Sequence, residues 1–278
     1  MELELLLDAI NSTFPVETAM LNDRIGLQIQ TEAKTVNGLL ITLEVTDEVV
    51  EECKKNKFNT ILTFHPLIYQ KLSTISLCDR VGRLCSKLIK NSINLISIHT
   101  TFDAYQYGTS KILADKLGLK TIDFLVPDAK NKNCGMGIIA VTGEEITSTE
   151  LVQKVYNVCN SPIRFSCTDK LKTINKIAIV GGSGTSFMQN VLDAQCDAFI
   201  TADATYHQFH SVKDKLLLID VGHYEMEQFV PQGIADALGN FLASNNIKYE
   251  TTKILTNPIQ YFPDNNYANK QMMQINKV

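Results

Sequence analysis

Along this chain, short apolar runs break off repeatedly at polar residues capable of chemistry. Ile61-Leu62-Thr63-Phe64 stops at His65-Pro66, and Asn94 through Ile98 stops at His99, with Asp103 four residues further on. Ile177 through Val180 gives way to Gly181-Gly182-Ser183-Gly184, Phe199-Ile200-Thr201 lies near Asp203, and Leu216 through Ile219 runs into Asp220-Val221-Gly222-His223. Continuous β-branched runs of this length read as parallel strands buried on both faces. In open α/β sheets the ligand sits beyond the carboxyl ends of the strands. The pattern therefore predicts a His/Asp/Glu site gathered from several strand ends.

Between these runs the spacing is helical. Residues 2 to 11 carry leucines and Ile10 at helical intervals and close at Phe14-Pro15. Asn22 to Ile29 reads as a turn leading into a strand, and Asn37 to Val45 as a central strand. Thr46 or Asp47 caps a helix to about Asn56, with acids in its first turn and lysines at its end. Helices are predicted from Asp79 to Asn91 and from Ser110 to Leu117, where Gly118 supplies a left-handed C-cap. Residues 127 to 135 are the most polar, turn-rich interior stretch, so the boundary between an N-terminal half, 1–126, and a C-terminal half, 127–278, is placed there. Beyond it come a strand at 137–141, a helix from Ser148 or Thr149 to Cys159 and a strand at 163–167. The α/β alternation then resumes, with strands at 176–180, 198–202 and 216–221 and helices at 185–193 and 204–212. A final helix spans 224–243 with Pro231 inside it, which requires regular helix to begin near that point or a kink. From about residue 263 the chain is rich in Asn, Gln and Lys and reads as a loosely held tail.

Composition narrows the function classes. With 278 residues and 45% hydrophobic content, the chain can bury a sizeable core. A formal charge of −4 and scattered lysines provide no basic stripe, which argues against direct nucleic-acid binding and for a small ligand or a protein partner. Seven cysteines, none in a Cys-x-x-Cys pair, point to reduced thiols and a cytoplasmic setting, with nuclear access left open. The acidic, helical amino end argues against a targeting peptide, and no apolar run reaches the ~20 residues of a membrane span.

The candidate chemistry lies at the strand ends. His223 and Glu227 stand at i, i+4 at a helix start, one face of which suits a divalent metal, whereas Glu225 at i+2 points away. His99 and Asp103 share that spacing, which there need not be helical, and His65 follows its own strand. Each alone reads more readily as a solvated surface histidine than as a ligand. The pattern gains weight because three of the five histidines follow predicted buried strands. Gly182-Ser183-Gly184 before a helix could offer backbone N–H groups to an anion or serve as a plain tight turn. Asp203 and His207, four apart, could reach the same pocket as proton-transfer groups; alternatively, Asp203 is an N-cap and His207 solvated. No Gly-x-Ser-x-Gly nucleophile motif is present.

Taken in order, Asn22-Asp23 with Gly26-Leu27, His65-Pro66, His99 to Ala104, Gly182-Ser183-Gly184, Thr201 to His207, His223 to Glu227 and Asn257-Pro258-Ile259 resemble the NIF-three-like proteins, also known as GTP cyclohydrolase 1 type 2 homologues. The resemblance covers roughly residues 5 to 262 and is to the short, eukaryotic-type form. It implies an α/β fold of two packed halves with mixed, largely parallel sheets, a dinuclear metal centre between them, and a toroidal homohexamer. By position it implies His65, Asp103, His223 and Glu227 as metal ligands, with His99 nearby. Many members carry His-His-Pro where this chain has Phe64-His65-Pro66, so one ligand of one metal is absent. The family's Trp-Asp-Asn-x-Gly stands here as Asn22-Asp23-Arg24-Ile25-Gly26.

Two functions follow as expectations. One is a hydrolase of a small nucleotide-like or phosphorylated substrate, using one or two divalent ions per subunit (zinc, iron, manganese or cobalt) to lower the pKa of water toward ~7. The other is a metal-binding regulatory or scaffold protein for a transcriptional or other partner. GTP cyclohydrolase activity is a narrower third reading without a purine-recognition motif behind it.

Overall fold

The structure, a computed structural model, describes residues 1–166 and 173–262. In chain order the elements are α1 (Leu3–Thr13), β1 (Gly26–Ile29), β2 (Gly38–Thr42), α2 (Asp47–Lys55), β3 (Thr60–Thr63), α3 (Arg80–Lys90), β4 (Asn94–Ser97), α4 (His99–Asp103) and α5 (Thr109–Lys116). There follow β5 (Lys120–Pro127), β6 (Gly135–Ile146), α6 (Ser148–Cys159), β7 (Arg164–Phe165), β8 (Ile174–Ile179), α7 (Met188–Asp193), β9 (Ala198–Thr201), α8 (Tyr206–Ser211), β10 (Leu217–Asp220), α9 (His223–Glu227), α10 (Val230–Ser244) and β11 (Lys248–Thr251). They form an α/β fold with two mixed sheets.

One compact unit comprises Met1–Gly108, Asp128–Cys134 and Phe229–Thr256. Its sheet has the order β1-β4-β3-β2-β11. Strands β2, β3 and β4 run parallel in register, Leu40 beside Ile61 and Ile61 beside Leu95, and every residue in them is buried. This complete burial explains why they read as unbroken apolar runs. Leu40, Ile61 and Leu95 join Val49, Val50, Cys53, Leu84 and Leu88 from α2 and α3 in one core. Both helices start where side chains satisfy their first N–H groups. Thr46 Oγ1 accepts from Val49 N at 3.3 Å, and Asp79 Oδ1 from Gly82 N at 2.8 Å.

The second unit comprises Thr109–Pro127, Gly135–Gln228 and the chain from Asn257. Its sheet runs β5-β6-β8-β9-β10-β7, with β8, β9 and β10 parallel and the outer strands antiparallel. Two buried clusters cover it, one including Ile177, Ile200 and Ile219 and the other Ala178, Phe199 and Leu218.

Several boundaries differ from the sequence reading. The single cut after residue 126 does not describe the grouping, because β11 adds to β2 in parallel and returns a late segment to the first sheet. The sequence predicts neither β5 nor β11: both are outer strands whose residues are mostly exposed or half-buried, so they lack the fully buried run of the central strands. The expected helix 224–243 is two helices, with Pro231 in the first turn of α10, where its missing N–H costs no bond. His99 to Asp103 is helical after all. Of the strand expected at 163–167 only Arg164–Phe165 forms, Cys167 and the tail from 263 lying outside the described residues. Among the described residues no helix is long and apolar enough to cross a membrane.

Candidate functional site

In the first unit, two histidines sit at the carboxyl ends of adjacent parallel strands. His65 leaves β3 with its backbone N donating to Leu43 O at 2.9 Å. Its Nδ1 lies 3.0 Å from Glu44 Oε1. Burial pushes the Glu44 carboxyl up, but His65 and Arg80 more than offset that and hold it below its ordinary value. His99 opens α4 and sets its Nδ1 2.7 Å from Asp23 Oδ1. Asp23 also accepts from Arg24 N at 2.7 Å, from Thr100 N at 3.1 Å and from the Thr100 hydroxyl. The two imidazole centroids are 5.5 Å apart, and the fully buried Phe64 ring packs 4.8 Å from one and 5.6 Å from the other. Asp103 closes α4 four residues after His99.

Burial opposes ionisation of Asp23, yet the hydrogen bonds from His99 and Thr100 win and bring it down to about 2 from 3.8. A depressed carboxyl contributes stability that is complete above pH 3.8 and is lost as pH falls through 2. The difference corresponds to about 2 kcal/mol. Denaturant titrations of the metal-free protein should therefore find Asp23→Asn less stable by about that amount at pH 7, with the gap closing between pH ~4 and ~2. A gap that persists at pH 2 would assign it to packing instead.

The second unit gathers its group from three strand ends. Asp203 follows β9 in a left-handed conformation (φ +57°). Its Oδ2 accepts from the Ser183 hydroxyl and lies 2.6 Å from His223 Nδ1. Burial raises the Asp203 carboxyl and the nearby charge of Glu227 adds to that, but the bonds from His223 and Ser183 leave it lowered. His223 Nε2 stands 3.2 Å from Glu227 Oε2 across the first turn of α9, a His/Glu pair suited to a metal ion. Glu225 indeed turns the other way, where its buried carboxylate accepts from Asn257 Nδ2 at 2.8 Å.

The glycine-rich turn has a task that spacing alone did not reveal. Gly182 has φ +59°, and a Cβ on it would lie 2.6 Å from Glu227 Oε1 and 3.2 Å from the His223 ring, so a side chain here would be strained and would displace the Glu227 carboxylate. Gly184 N, one of the N–H groups expected to face an anion, donates instead to Thr201 Oγ1 at 2.9 Å, and the neighbouring Gly181 N donates to Ser110 Oγ at 3.1 Å. Nor is Asp203 an N-cap, since Thr205 caps α8 with a capping box. Ser183, Asp203 and His223 do not form a nucleophile triad, because the serine donates to the carboxylate and His223 Nε2 faces Glu227. His207 is exposed on α8 with its ring 5.5 Å from that of Tyr206, and none of its interactions reaches His223.

His65, His99 and His223 thus share one arrangement, in which a carboxylate stands at Nδ1. At His99 the acid favours the tautomer protonated at Nδ1, with the lone pair on Nε2, as second-shell acids do for metal-ligating histidines; at His223 Asp203 holds Nδ1 while Glu227 stands at Nε2. Glu44 gives no signal as a site residue in the sequence, and Asp23 enters there only through the motif resemblance, without its pairing to His99. Glu44 reads as the end of a strand, and Asp23 lies 76 residues from His99.

The chain matches the model of the Duf34/NIF3 (NGG1p interacting factor 3) family over residues 1–258. A GTP cyclohydrolase 1 type 2 homolog from Clostridium perfringens is 29% identical over 262 residues, 94% of this chain and 100% of that protein. One from Nostoc is 31% identical over 193 residues, 68% of this chain and 73% of that protein. The crystal structure of Staphylococcus aureus hypothetical protein SA1388 superposes with a TM-score of 0.87 at 28% identity, covering 94% of this chain and 99% of the other. Reduced HcgD from Methanocaldococcus jannaschii shares the fold, with a TM-score of 0.73 at 22% identity and coverage of 91% and 98%. With sequence and fold in agreement along nearly its whole length, the chain belongs to the Duf34/NIF3 family.

Proposed function

We propose that this protein is a metal-dependent hydrolase of a small, nucleotide-like or phosphorylated substrate, with His65, Asp103, His223 and Glu227 as ligands of one or two divalent ions and His99 beside them. The observation that carries this reading is the repeated carboxylate at Nδ1 of three strand-end histidines. Such pairs hold an imidazole's tautomer and direction, which a solvated surface histidine does not need. The donor set of imidazole and carboxylate without thiolate suits zinc, iron, manganese or cobalt. Bound metal would supply Lewis acidity and an activated water near neutral pH. Glu44, Asp23 and Asp203 orient the imidazoles, which gives Asp203 a holding role in place of the proton shuttling expected from its spacing with His207. The relatives' names direct the first assays to GTP and other nucleotides, and a hexameric assembly belongs to the same proposal.

Elemental analysis of purified protein, repeated after chelation and reloading, tests this reading. Wild type should carry about one to two ions per chain, and His65→Ala and His223→Ala each less than half of that, with unchanged circular dichroism. Equal metal content in all three would sink the ligand assignment. A second reading, a scaffold for a protein partner, draws on the exposure of Leu21 (92%), Tyr69 (57%), Ile75 (60%) and Leu77 (61%) in the first unit. Partner capture that survives metal removal, combined with no turnover in phosphatase, nuclease and cyclohydrolase assays, would favour it.

A further inference from the structure

The two-residue strand β7 contributes almost nothing to the sheet, yet it carries Arg164 to the carboxyl end of β10. There the guanidinium Nη2 donates to Asp220 Oδ2 and also, at 3.0 Å, to Ala204 O. The same Asp220 oxygen accepts from Ala204 N at 3.0 Å. Both backbone polar groups of Ala204 are therefore held by one ion pair. Ala204 directly follows Asp203, whose left-handed backbone is a conformation that L-residues rarely adopt outside glycine, Asn and Asp. Asp220 is buried at 4% exposure, and the Arg164 guanidinium also lies 5.7 Å from the Phe209 ring centroid.

We infer that Arg164 and Asp220 are positioning residues for the metal site. They clamp the peptide groups flanking Ala204, fix the turn that aims Asp203, and through Asp203 hold His223 at Nδ1. The inference rests on the metal-binding reading of His223 and adds to it a pair of residues that touch no ligand. A turn free to leave the left-handed region would swing the Asp203 carboxylate away from the imidazole. His223 would then sample rotamers and tautomers that do not present Nε2 beside Glu227.

Because 63% of the Arg164 side chain is exposed, Arg164→Ala should fold, whereas a change at Asp220 would strip a buried acceptor. Metal affinity is measured by chelator competition with zinc in wild type, Arg164→Ala, Asp203→Ala and the double variant. Arg164→Ala is expected to weaken binding by about tenfold, as loss of outer-shell partners does. In the Asp203→Ala background it should cost less than about twofold, because the clamp then has nothing to aim. Equal losses in both backgrounds would mean a merely structural role and overturn the inference, as would wild-type affinity in Arg164→Ala.

A metal-free readout separates this inference from the metal reading. Nitrogen–proton correlation spectra of the His223 imidazole in apo protein should show a hydrogen-bonded, slowly exchanging Nδ1 proton in wild type, and its loss in Arg164→Ala and Asp203→Ala alike. An unshifted Nδ1 proton in Arg164→Ala would reject the clamp even if zinc binding depends on His223. Loss of that proton in Arg164→Ala, in a protein that binds no metal at His223, would uphold the clamp and reject the metal reading.

Discussion

Glu227→Gln is expected to reduce metal affinity on the order of a hundredfold while leaving the metal-free protein as stable as before, or more stable by about 1 kcal/mol. The opposite signs follow from what surrounds the carboxylate. Its side chain is 3% exposed, and its charge works against the ionisation of Asp203. A glutamine keeps the volume, so no cavity opens, and removes a negative charge from a site where two acids converge on one imidazole. His223 is not stranded, because Asp203 and Ser183 still border its Nδ1. In the folded apo protein the charge opposes the ionisation of Asp203, an opposition that a bound cation would relieve. Apo unfolding monitored by circular dichroism, alongside zinc competition, measures both quantities. A loss of several kcal/mol in apo stability with affinity intact would make Glu227 a structural residue and leave His223 without a carboxylate co-ligand.

The same contrast explains what could be read from the sequence. The strand ends carrying His65, His99 and His223 announce themselves because β3, β4 and β10 are buried throughout, and a polar residue after such a run stands out. Strand β11, Lys-Tyr-Glu-Thr, does not, because its residues are exposed or half-buried and its register is set by pairing with β2. The acids at Nδ1 follow a different logic. Asp23 reaches His99 because β1 lies antiparallel beside β4, and Asp203 reaches His223 because β9 and β10 are parallel neighbours. Such pairings are set by sheet order, which local spacing does not encode. The His223–Glu227 spacing does encode a contact, since one helical turn brings i and i+4 together. The glycine turn was legible as a turn, but the reason for Gly182 appears only once the space its Cβ would occupy is seen to hold Glu227.

Phe64→Ala should have the largest effect on stability, about 3–5 kcal/mol. Phe64 is fully buried, as are Phe14 and Phe102. Its ring packs edge-to-face on Phe102 at 6.2 Å and on His99 at 5.6 Å, and Phe102 continues the contact to Phe14 at 5.4 Å. Truncation removes both the transfer energy of the ring and its aromatic contacts, each worth about 0.5–1.5 kcal/mol. The backbone is anchored independently, through Phe64 N to Thr42 O at 2.9 Å and Phe64 O accepting from His99 N at 2.9 Å and Ser97 Oγ at 3.0 Å. The variant should therefore fold with its strand ends in place and unfold at lower denaturant. Phe64→His tests the ring's second role as the dry wall behind His65 and His99. It retains a ring and should lose less than alanine, about 1–3 kcal/mol for a polar imidazole in an apolar slot. Metal per chain, measured in the same preparation, then reads whether a third imidazole at this corner adds an ion. A Phe64→Ala loss below about 1 kcal/mol would show that the slot collapses around the gap, and the wall would then have to be assigned to Phe102.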